Sequence, residues 1–307
     1  MEKRDHFASK IGFVLAAAGS AIGLGAIWKF PYMAGTNGGS VFVLLFIIST
    51  LLIGLPILLA EFVLGRKGQA DAVTSFKRLK PGKNWFFIGW SGFFFSLIIL
   101  SFYSVVGGWI LSYLGRALMF SLDNNGDSDY GKLFESIISN PWEVLIGQAV
   151  FMILTVIIVR GGIEGGIERA SRIMMPALLI FFVVLVARSL TLDGAMEGVK
   201  FMFVPDWSYL NAQTMLLALG QAFFSLSVGV AGMMTYASYL PKDQKLGSSA
   251  FSVSMLNIGI SLMAGLVIFP AVFALGYSPD EGPGLVFIIL PAVFEQIPFG
   301  AFFMLMF

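Results

Sequence analysis

Long apolar stretches without a charged side chain alternate with short polar segments along this chain. Seven such runs are present: Ile11–Trp28, Val41–Ala60, Trp85–Gly115, Val144–Val159, Ile173–Ala187, Trp207–Pro241 and Leu246–Pro279. A helix needs about 20 apolar residues to cross the hydrocarbon core of a bilayer, and flanking Trp, Arg or Lys can complete the two shortest runs. The pattern predicts seven transmembrane helices, and an eighth begins near Pro298.

Two of these runs contain residues that disfavour a continuous helix. Gly19, Gly23 and Gly25 lie in the first run, and each costs about 1 kcal/mol relative to Ala in a helix interior. Glycines at this spacing also suit close helix packing. However, the small/branched/Gly/branched/small pattern of residues 21–25 recurs at 227–231 in the sixth run. Paired interruptions in corresponding places of two halves indicate the binding site of a transporter.

Composition excludes several classes of protein. The chain is 57% hydrophobic and 12% charged, with a mean hydropathy of +0.86, which excludes a soluble domain. The net charge of +1 and the lack of a basic, aromatic-rich patch argue against nucleic acid as a partner. With no Cys and a single His, His6 in the polar N-terminal tail, there is no constellation for an enzyme or a thiolate metal site.

Basic residues are distributed unevenly between the loops. With the N-terminus inside, 14 of the 19 Lys and Arg residues lie in the tail and the inner loops. This asymmetry predicts a multi-pass protein of the cell membrane with a cytoplasmic N-terminus. The acidic outer loop Ser121–Glu143 is predicted to be a solvated face. The segment Asp280–Pro298, apolar with Pro and Gly breaks, is predicted to be a helical hairpin folded into an extracellular vestibule.

Four polar residues at membrane depth are candidates for function, namely Lys29, Glu61, Gln221 and Asn257. Each has a simpler alternative. Lys29 could extend its ammonium group to the membrane surface, and the two amides could bond a neighbouring helix. Glu61 could carry a proton or pack helices together, and the lack of a nearby basic residue in the sequence favours packing.

Several motifs together resemble the neurotransmitter:sodium symporter family, in its bacterial amino-acid branch. The matching segments are residues 19–25, 29–31, 37–39, 54–56, Glu61 with Gly65 and Arg66, 220–227, 235–239 and 242–244. The resemblance implies an all-α, polytopic membrane protein with an inverted-repeat transporter fold and with helices 1 and 6 unwound mid-span. It also implies a complete first five-helix repeat (1–190) and a partial second repeat (191–307). The second would hold spans 6 and 7, the start of span 8 and the extracellular hairpin.

The resemblance assigns residues to a substrate and to two sodium ions. The implied substrate-binding residues are Ala21, Gly23, Ile99, Tyr103, Phe224, Ser225, Ser227 and Val230. The implied sodium ligands are Ala21, Ser225 and Asn257 at one site and the carbonyls of Gly19 and Ile22 at the other. Gln221, Ser225, Asn257 and Ser261 are candidates for binding chloride. Arg4 and Lys29 would form the inner and outer gates, and Glu61 would brace the helices.

Three features depart from the family pattern. Ala26 stands where an Asn usually supplies a sodium ligand, and Phe46 stands where chloride-dependent members have Tyr. The chain ends at Phe307, in the eighth of eleven or twelve expected helices, so we expect a C-terminally truncated chain that does not transport alone. Gly23, where monoamine transporters have Asp, predicts a substrate with a free α-carboxylate.

The predicted function is sodium-coupled symport of a neutral amino acid across the cell membrane by a longer parent, with no enzymatic activity. Partners are the amino acid, the lipid bilayer and, as a candidate, a second copy in a homodimer. Two alternatives remain. One is a truncated, non-transporting fragment that scaffolds or interferes with its parent. The other is an ion channel, although no charged ring or carbonyl filter is visible; saturable flux that stops without sodium would exclude it.

Overall fold

A computed structural model describes residues 5–118, 130–241, 244–280 and 285–295, together with 300, 302 and 304. Within these residues there are helices and no strands, and six helices are long and apolar enough to cross a membrane. They are Lys10–Thr36, Ser40–Gly68, Phe86–Leu118, Pro141–Arg160, Ile163–Leu190 and Leu246–Ala274. We call them the first to fifth and the seventh spans. The prediction of an all-helical, multi-pass membrane protein is confirmed.

The sixth apolar run does not form one helix. It forms Ala212–Leu226 and Gly232–Ala237, which we call the two halves of the sixth span. Between them the backbone has positive φ at Ser227, Gly229 and Ala231, a conformation that cannot continue a right-handed helix. The sequence run that starts at Trp207 begins with a short 3₁₀ turn, and the helix itself starts after Asn211, whose side chain accepts from the N–H of Thr214.

The first span is also interrupted, as predicted. Its helix Lys10–Leu24 contains Gly23 with φ −23° and ψ −142°, well outside the helical region. A π-helical turn, Gly25–Lys29, follows and leads into the helix Phe30–Thr36. The first and sixth spans are therefore both unwound within the depth of the bundle.

A second π-helical turn, Thr50–Gly54, lies in the second span, between the helices Ser40–Ser49 and Leu55–Gly68. Pro56 follows this turn and has no N–H to donate, so the regular ladder is already interrupted there. A third π-helical turn, Ile163–Glu168, opens the fifth span.

Short helices connect the spans: Ala72–Leu79, Tyr130–Ser139, Ala195–Phe203 and the pair Leu285–Ile289 and Leu290–Glu295. The expectation of a purely solvated face at Ser121–Glu143 is wrong for its described part. Tyr130 and Ile137 are buried, and Glu143 forms an ion pair with Arg116 at 2.8 Å. The rest of that loop, the remainder of the predicted hairpin and most of the predicted eighth helix lie outside the described residues.

The seventh span is at the centre of the bundle. Within its most apolar stretch 67% of the residues are buried, against 50% for the first span and 0% for the fourth. The seventh span packs on the first, fifth and second spans, while the third and fourth pack mainly on each other. The third and fourth spans expose many large apolar side chains, as expected of helices that face lipid.

Candidate functional site: two facing helix breaks

The breaks in the first and sixth spans lie against each other. The hydroxyl of Ser227 donates to the carbonyl of Ser20 at 3.2 Å, and Nε2 of Gln221 donates to the carbonyl of Gly25 at 2.7 Å. A Cβ atom at Gly25 would lie 3.2 Å from both the Phe224 ring and the Ser225 Cα, so a larger residue would require these neighbours to shift by a few tenths of an ångström. The two stretches that share a sequence pattern therefore also share a contact.

A buried cluster of neutral polar groups lies beside this contact. Nδ2 of Asn257, on the seventh span, donates to Oγ of Ser225 at 2.6 Å, and both side chains are fully buried. Oδ1 of Asn257, Oε1 of Gln221 and Oγ of Ser261 have no hydrogen-bond partner in the structure. A buried unpaired oxygen costs about 1–3 kcal/mol, and hard cations are bound by such oxygen atoms. The cluster therefore fits a cation.

The predicted carbonyl ligands of the first span lie at or before its break. The Ile22 carbonyl accepts from the N–H of Gly25, which leaves one of its two lone pairs. A Cβ atom at Gly19 would lie 3.3 Å from Sδ of Met175, so this residue packs on the fifth span. Ala21 and Ala26 are buried. Ala26 supplies no side-chain oxygen, and within the described residues no group of three His, Cys, Asp or Glu side chains could hold a metal.

Open space and aromatic rings meet at the break of the first span. Gly23 is exposed, and a Cβ atom there would have no neighbour within 4 Å. The rings of Tyr103 and Phe224 contact edge to face, with centroids 6.3 Å apart. Ile99 lies one helical turn before Tyr103 on the third span and is partly exposed. The exposed glycine of the break and this aromatic pair are the features of the predicted substrate site that the structure describes.

The third span also contacts the break of the sixth span directly. The hydroxyl of Ser96 donates to the carbonyl of Val230 at 3.1 Å. The sequence did not single out Ser96, because a lone Ser in an apolar run has no distinguishing pattern. This contact fixes the position of Val230 relative to Ile99 and Tyr103.

One of the two predicted gate residues lies within the described chain. Nζ of Lys29 lies 3.9 Å from the centroid of the Phe224 ring, a cation–π geometry. The ammonium group therefore covers the ring of a residue that the family resemblance assigns to the substrate. Arg4 lies outside the described residues.

Glu61 reaches from the second span to the break of the sixth. Its Oε1 accepts a hydrogen bond from the N–H of Gly229 at 2.6 Å. Gly229 has φ +86°, so its N–H is not part of a helical ladder. The carboxyl group of Glu61 therefore supplies an acceptor to a backbone donor that the break has left free.

The chloride candidates offer an anion few free donors. Nε2 of Gln221 and Nδ2 of Asn257 both donate to protein oxygens, and the hydroxyl of Ser261 has no partner. Phe46 is buried against the ring of Phe30, with centroids 4.9 Å apart. A phenyl ring cannot donate a hydrogen bond, so the position gives nothing to an anion.

The buried polar residues that the sequence analysis did not single out include Thr50, Ser254 and Glu168. The hydroxyls of Thr50 and Ser254 are fully buried and have no hydrogen-bond partner among the described residues. Ser254 lies one turn before Asn257 on the seventh span. Glu168 is 1% exposed and paired with Arg172 four residues later; this i,i+4 acid–base spacing at the end of an apolar run was the available signal.

Comparisons with known proteins identify the family of this chain. The Sodium:neurotransmitter symporter family matches residues 4–128 and 132–307. An uncharacterized sodium-dependent transporter of Bacillus subtilis, YhdH, is 55% identical over 98% of this chain and 67% of its own length. A Haemophilus influenzae sodium-dependent transporter, also uncharacterized, is 38% identical over 100% of this chain and 69% of its own.

A solved structure shows the same fold as this chain. The crystal structure of MhsT in complex with L-phenylalanine superposes with a TM-score of 0.94 and 48% sequence identity, over 99% of this chain and 69% of that one. This chain therefore spans about two thirds of the length of the proteins it matches.

Proposed function

This chain belongs to the sodium:neurotransmitter symporter family, and from that premise we propose that it serves the sodium-coupled uptake of a neutral amino acid. The observation that carries the proposal is the contact between the two helix breaks. It brings unpartnered buried oxygens next to an open, partly aromatic space. We also propose that the N-terminus is cytoplasmic, as the distribution of basic residues predicts.

Sodium is a co-transported ion in this proposal. Oδ1 of Asn257 is buried and unpartnered, and Oγ of Ser225 is held by the amide of the same residue, so both oxygens are positioned before an ion arrives. Together with the carbonyl of Ala21 they would bind one sodium ion. The carbonyls of Gly19 and Ile22 would contribute to a second. Because Ala26 supplies no side-chain oxygen, we expect the first ion to bind weakly unless the substrate adds a ligand.

The substrate in this proposal is an amino acid with an apolar side chain. Its carboxylate would occupy the space at Gly23, where an aspartate would repel it, and would complete the shell of the first sodium ion. Tyr103 would donate its hydroxyl to that carboxylate, and Ile99, Phe224, Ser227 and Val230 would surround the side chain. MhsT, which is similar over nearly the whole chain, has been crystallised with L-phenylalanine.

The test is binding of radiolabelled L-phenylalanine to protein in proteoliposomes, in sodium and in potassium buffer. We expect binding in sodium only, and phenethylamine, which lacks the carboxylate, should compete at least tenfold more weakly. Asn257→Ala should raise the sodium concentration for half-maximal binding by about tenfold to a hundredfold. Ser254→Ala is the matched control, since it removes a buried hydroxyl one turn away. Sodium-independent binding, or equal competition by the amine, would contradict the proposal.

We further propose a weak dependence of transport on chloride in the full-length parent, because two sodium ions beside the carboxylate of the substrate leave excess positive charge in a poorly solvated site. Ser261 has an unpartnered hydroxyl for an anion, whereas Phe46 has no donor, so the effect should need chloride at tens of millimolar or more. Exchange of chloride for gluconate should slow transport, and Ser261→Glu should abolish that difference. Transport that is equally fast in gluconate at every pH would exclude chloride as the compensating ion.

A further inference from the structure

The segment before the first span is fastened to the end of the bundle by a buried acid that the proposed binding site does not use. We call residues Asp5–Ser9 the N-terminal segment. Oε2 of Glu168 accepts from the N–H of Ala8 at 2.7 Å, and its Oε1 accepts from the hydroxyl of Ser9 at 3.2 Å. Nη2 of Arg172 lies 2.6 Å from the same Oε1. Glu168 is only 1% exposed, so its charge is satisfied almost wholly by these groups.

The same carboxylate lies in a notch in the first turn of the first span. A Cβ atom built on Gly12 would lie 1.8 Å from Oε1 of Glu168, so no larger residue fits while the carboxylate is there. Ser9 is the N-cap of that helix and accepts from the N–H of Gly12 at 2.9 Å. The carboxylate of Glu168 therefore holds the N-terminal end of the first span through the hydroxyl of the N-cap residue Ser9 and the backbone N–H of Ala8.

Other contacts tie the N-terminal segment to two different spans. Oδ2 of Asp5 accepts from the N–H of Ile163 at 2.9 Å, at the start of the fifth span. The N–H of Phe7 donates to the carbonyl of Tyr239, just after the sixth span, at 3.2 Å. The ring of Phe7 is 3% exposed and packs on Phe13 and on Tyr236 of the sixth span. The segment thus bridges parts of the bundle that lie far apart in sequence.

We propose that Glu168 is a positioning residue, a latch that holds the half of the first span before Gly23 against the fifth and sixth spans. Its release would let this half swing about the break and open a path from this end of the bundle to the facing breaks. The inference rests on the proposed function, in which the site must become accessible from each side in turn. Gly23, with its non-helical backbone and open surroundings, is the hinge for that motion.

The chain has no cysteine, so single reporter cysteines can measure opening without any transport assay. Ala17→Cys reports on the latched half, where Ala17 belongs to the same buried cluster as Phe7. Ala34→Cys reports on the other half of the first span, in a separate buried cluster. Both alanines are fully buried, so maleimide reacts with either cysteine only when its surroundings open.

We expect Glu168→Ala to accelerate labelling at position 17 by at least tenfold and to leave position 34 unchanged, since each hydrogen bond to a charged group contributes about tenfold or more. Glu168→Gln should have an intermediate effect, because its amide oxygen still accepts but no longer pairs with Arg172. Glu164→Ala is the matched control, an exposed acid on the same π-helical turn, and should change neither rate.

A second variant tests the same contact from the other side. Gly12→Ala should displace the carboxylate and accelerate labelling at position 17, and combining it with Glu168→Ala should add nothing further. Equal acceleration at both reporters would reduce Glu168 to general stability and overturn the latch. An unchanged rate at position 17 would overturn it as well. Because labelling needs neither sodium nor substrate, a failed binding assay would contradict the proposed function without affecting this result.

Discussion

The two interrupted spans are broken in different ways. In the first span the single residue Gly23 leaves the helical region, and a π-helical turn continues the chain. In the sixth span the helix stops at Leu226 and resumes at Gly232, with three positive φ angles between. The first break therefore resembles a hinge within a nearly continuous rod, whereas the second is a short loop with a fixed shape.

The surroundings of the two breaks differ accordingly. The loop of the sixth span is held from three sides: Glu61 accepts from Gly229, Ser96 donates to Val230, and Ser227 donates to Ser20. Gly23 instead faces open space. A backbone at membrane depth persists only when its polar groups are satisfied by protein, ligand or water. In the sixth span, side chains form hydrogen bonds with the backbone groups of the break. In the first span, we expect ligands to contact some of these groups.

The largest effect should come from removing the acid that holds the loop. Glu61→Ala removes the carboxyl acceptor from the N–H of Gly229, so substrate affinity in sodium should fall by about tenfold to a hundredfold. Glu61→Gln keeps an acceptor oxygen and should lose less. Both are measured by radioligand binding in proteoliposomes.

Glu164→Ala, which removes an exposed acid far from the loop, should leave that affinity unchanged. If Glu61→Ala bound substrate with the same affinity as the unmodified chain, the loop would keep its shape without this hydrogen bond. The contrast between the sixth-span break, which side chains hold in place, and the first-span break, which faces open space, would then be wrong.

A smaller effect is expected at the open break. Gly23→Asp places a carboxylate in free space beside the proposed position of the substrate carboxylate. Like charges repel, so the preference for L-phenylalanine over phenethylamine should fall by about tenfold. Gly23→Asn has nearly the same shape without the charge and should preserve most of the preference. An unchanged ratio in the Asp variant would place the carboxylate elsewhere.

How far the sequence predicts this structure depends on the range of the interaction. Both breaks were predictable, because glycines at short spacing act on the local backbone and their pattern repeats at 227–231. The buried amides Asn257 and Gln221 were predictable as candidates from their cost in an apolar run. Their partners Ser225 and Gly25 were not predictable from spacing alone, and only the family resemblance brought Ser225 into the site.

The contacts at the end of the bundle were missed for the same physical reason. Glu168 bonds to Ala8 across 160 positions of sequence, and no local periodicity encodes such a pairing. The buried part of the loop before Glu143 was missed because helix Tyr130–Ser139 is too short and too polar to stand out. Short amphipathic helices gain their stability from tertiary packing rather than from propensity.

The smallest expected effects distinguish backbone strain from side-chain hydrogen bonding within the loop of the sixth span. Ala231 and Ser227 have φ of +60° and +53°, a region that costs a residue with a Cβ about 1–2 kcal/mol. Glycine avoids this cost but loses about 0.5–1 kcal/mol of backbone entropy on folding. Ala231→Gly should therefore raise the free energy of unfolding, measured by denaturation in detergent, by up to about 1 kcal/mol.

Ser227→Gly relieves the same strain but loses the hydrogen bond from the hydroxyl to Ser20, which contributes about 0.5–1.5 kcal/mol, so its net effect should be near zero. Ala218→Gly, within the helix before the loop, should destabilise by about 1 kcal/mol or more. Equal stabilisation by both loop variants would show that the Ser227 hydroxyl contributes nothing to the contact between the breaks.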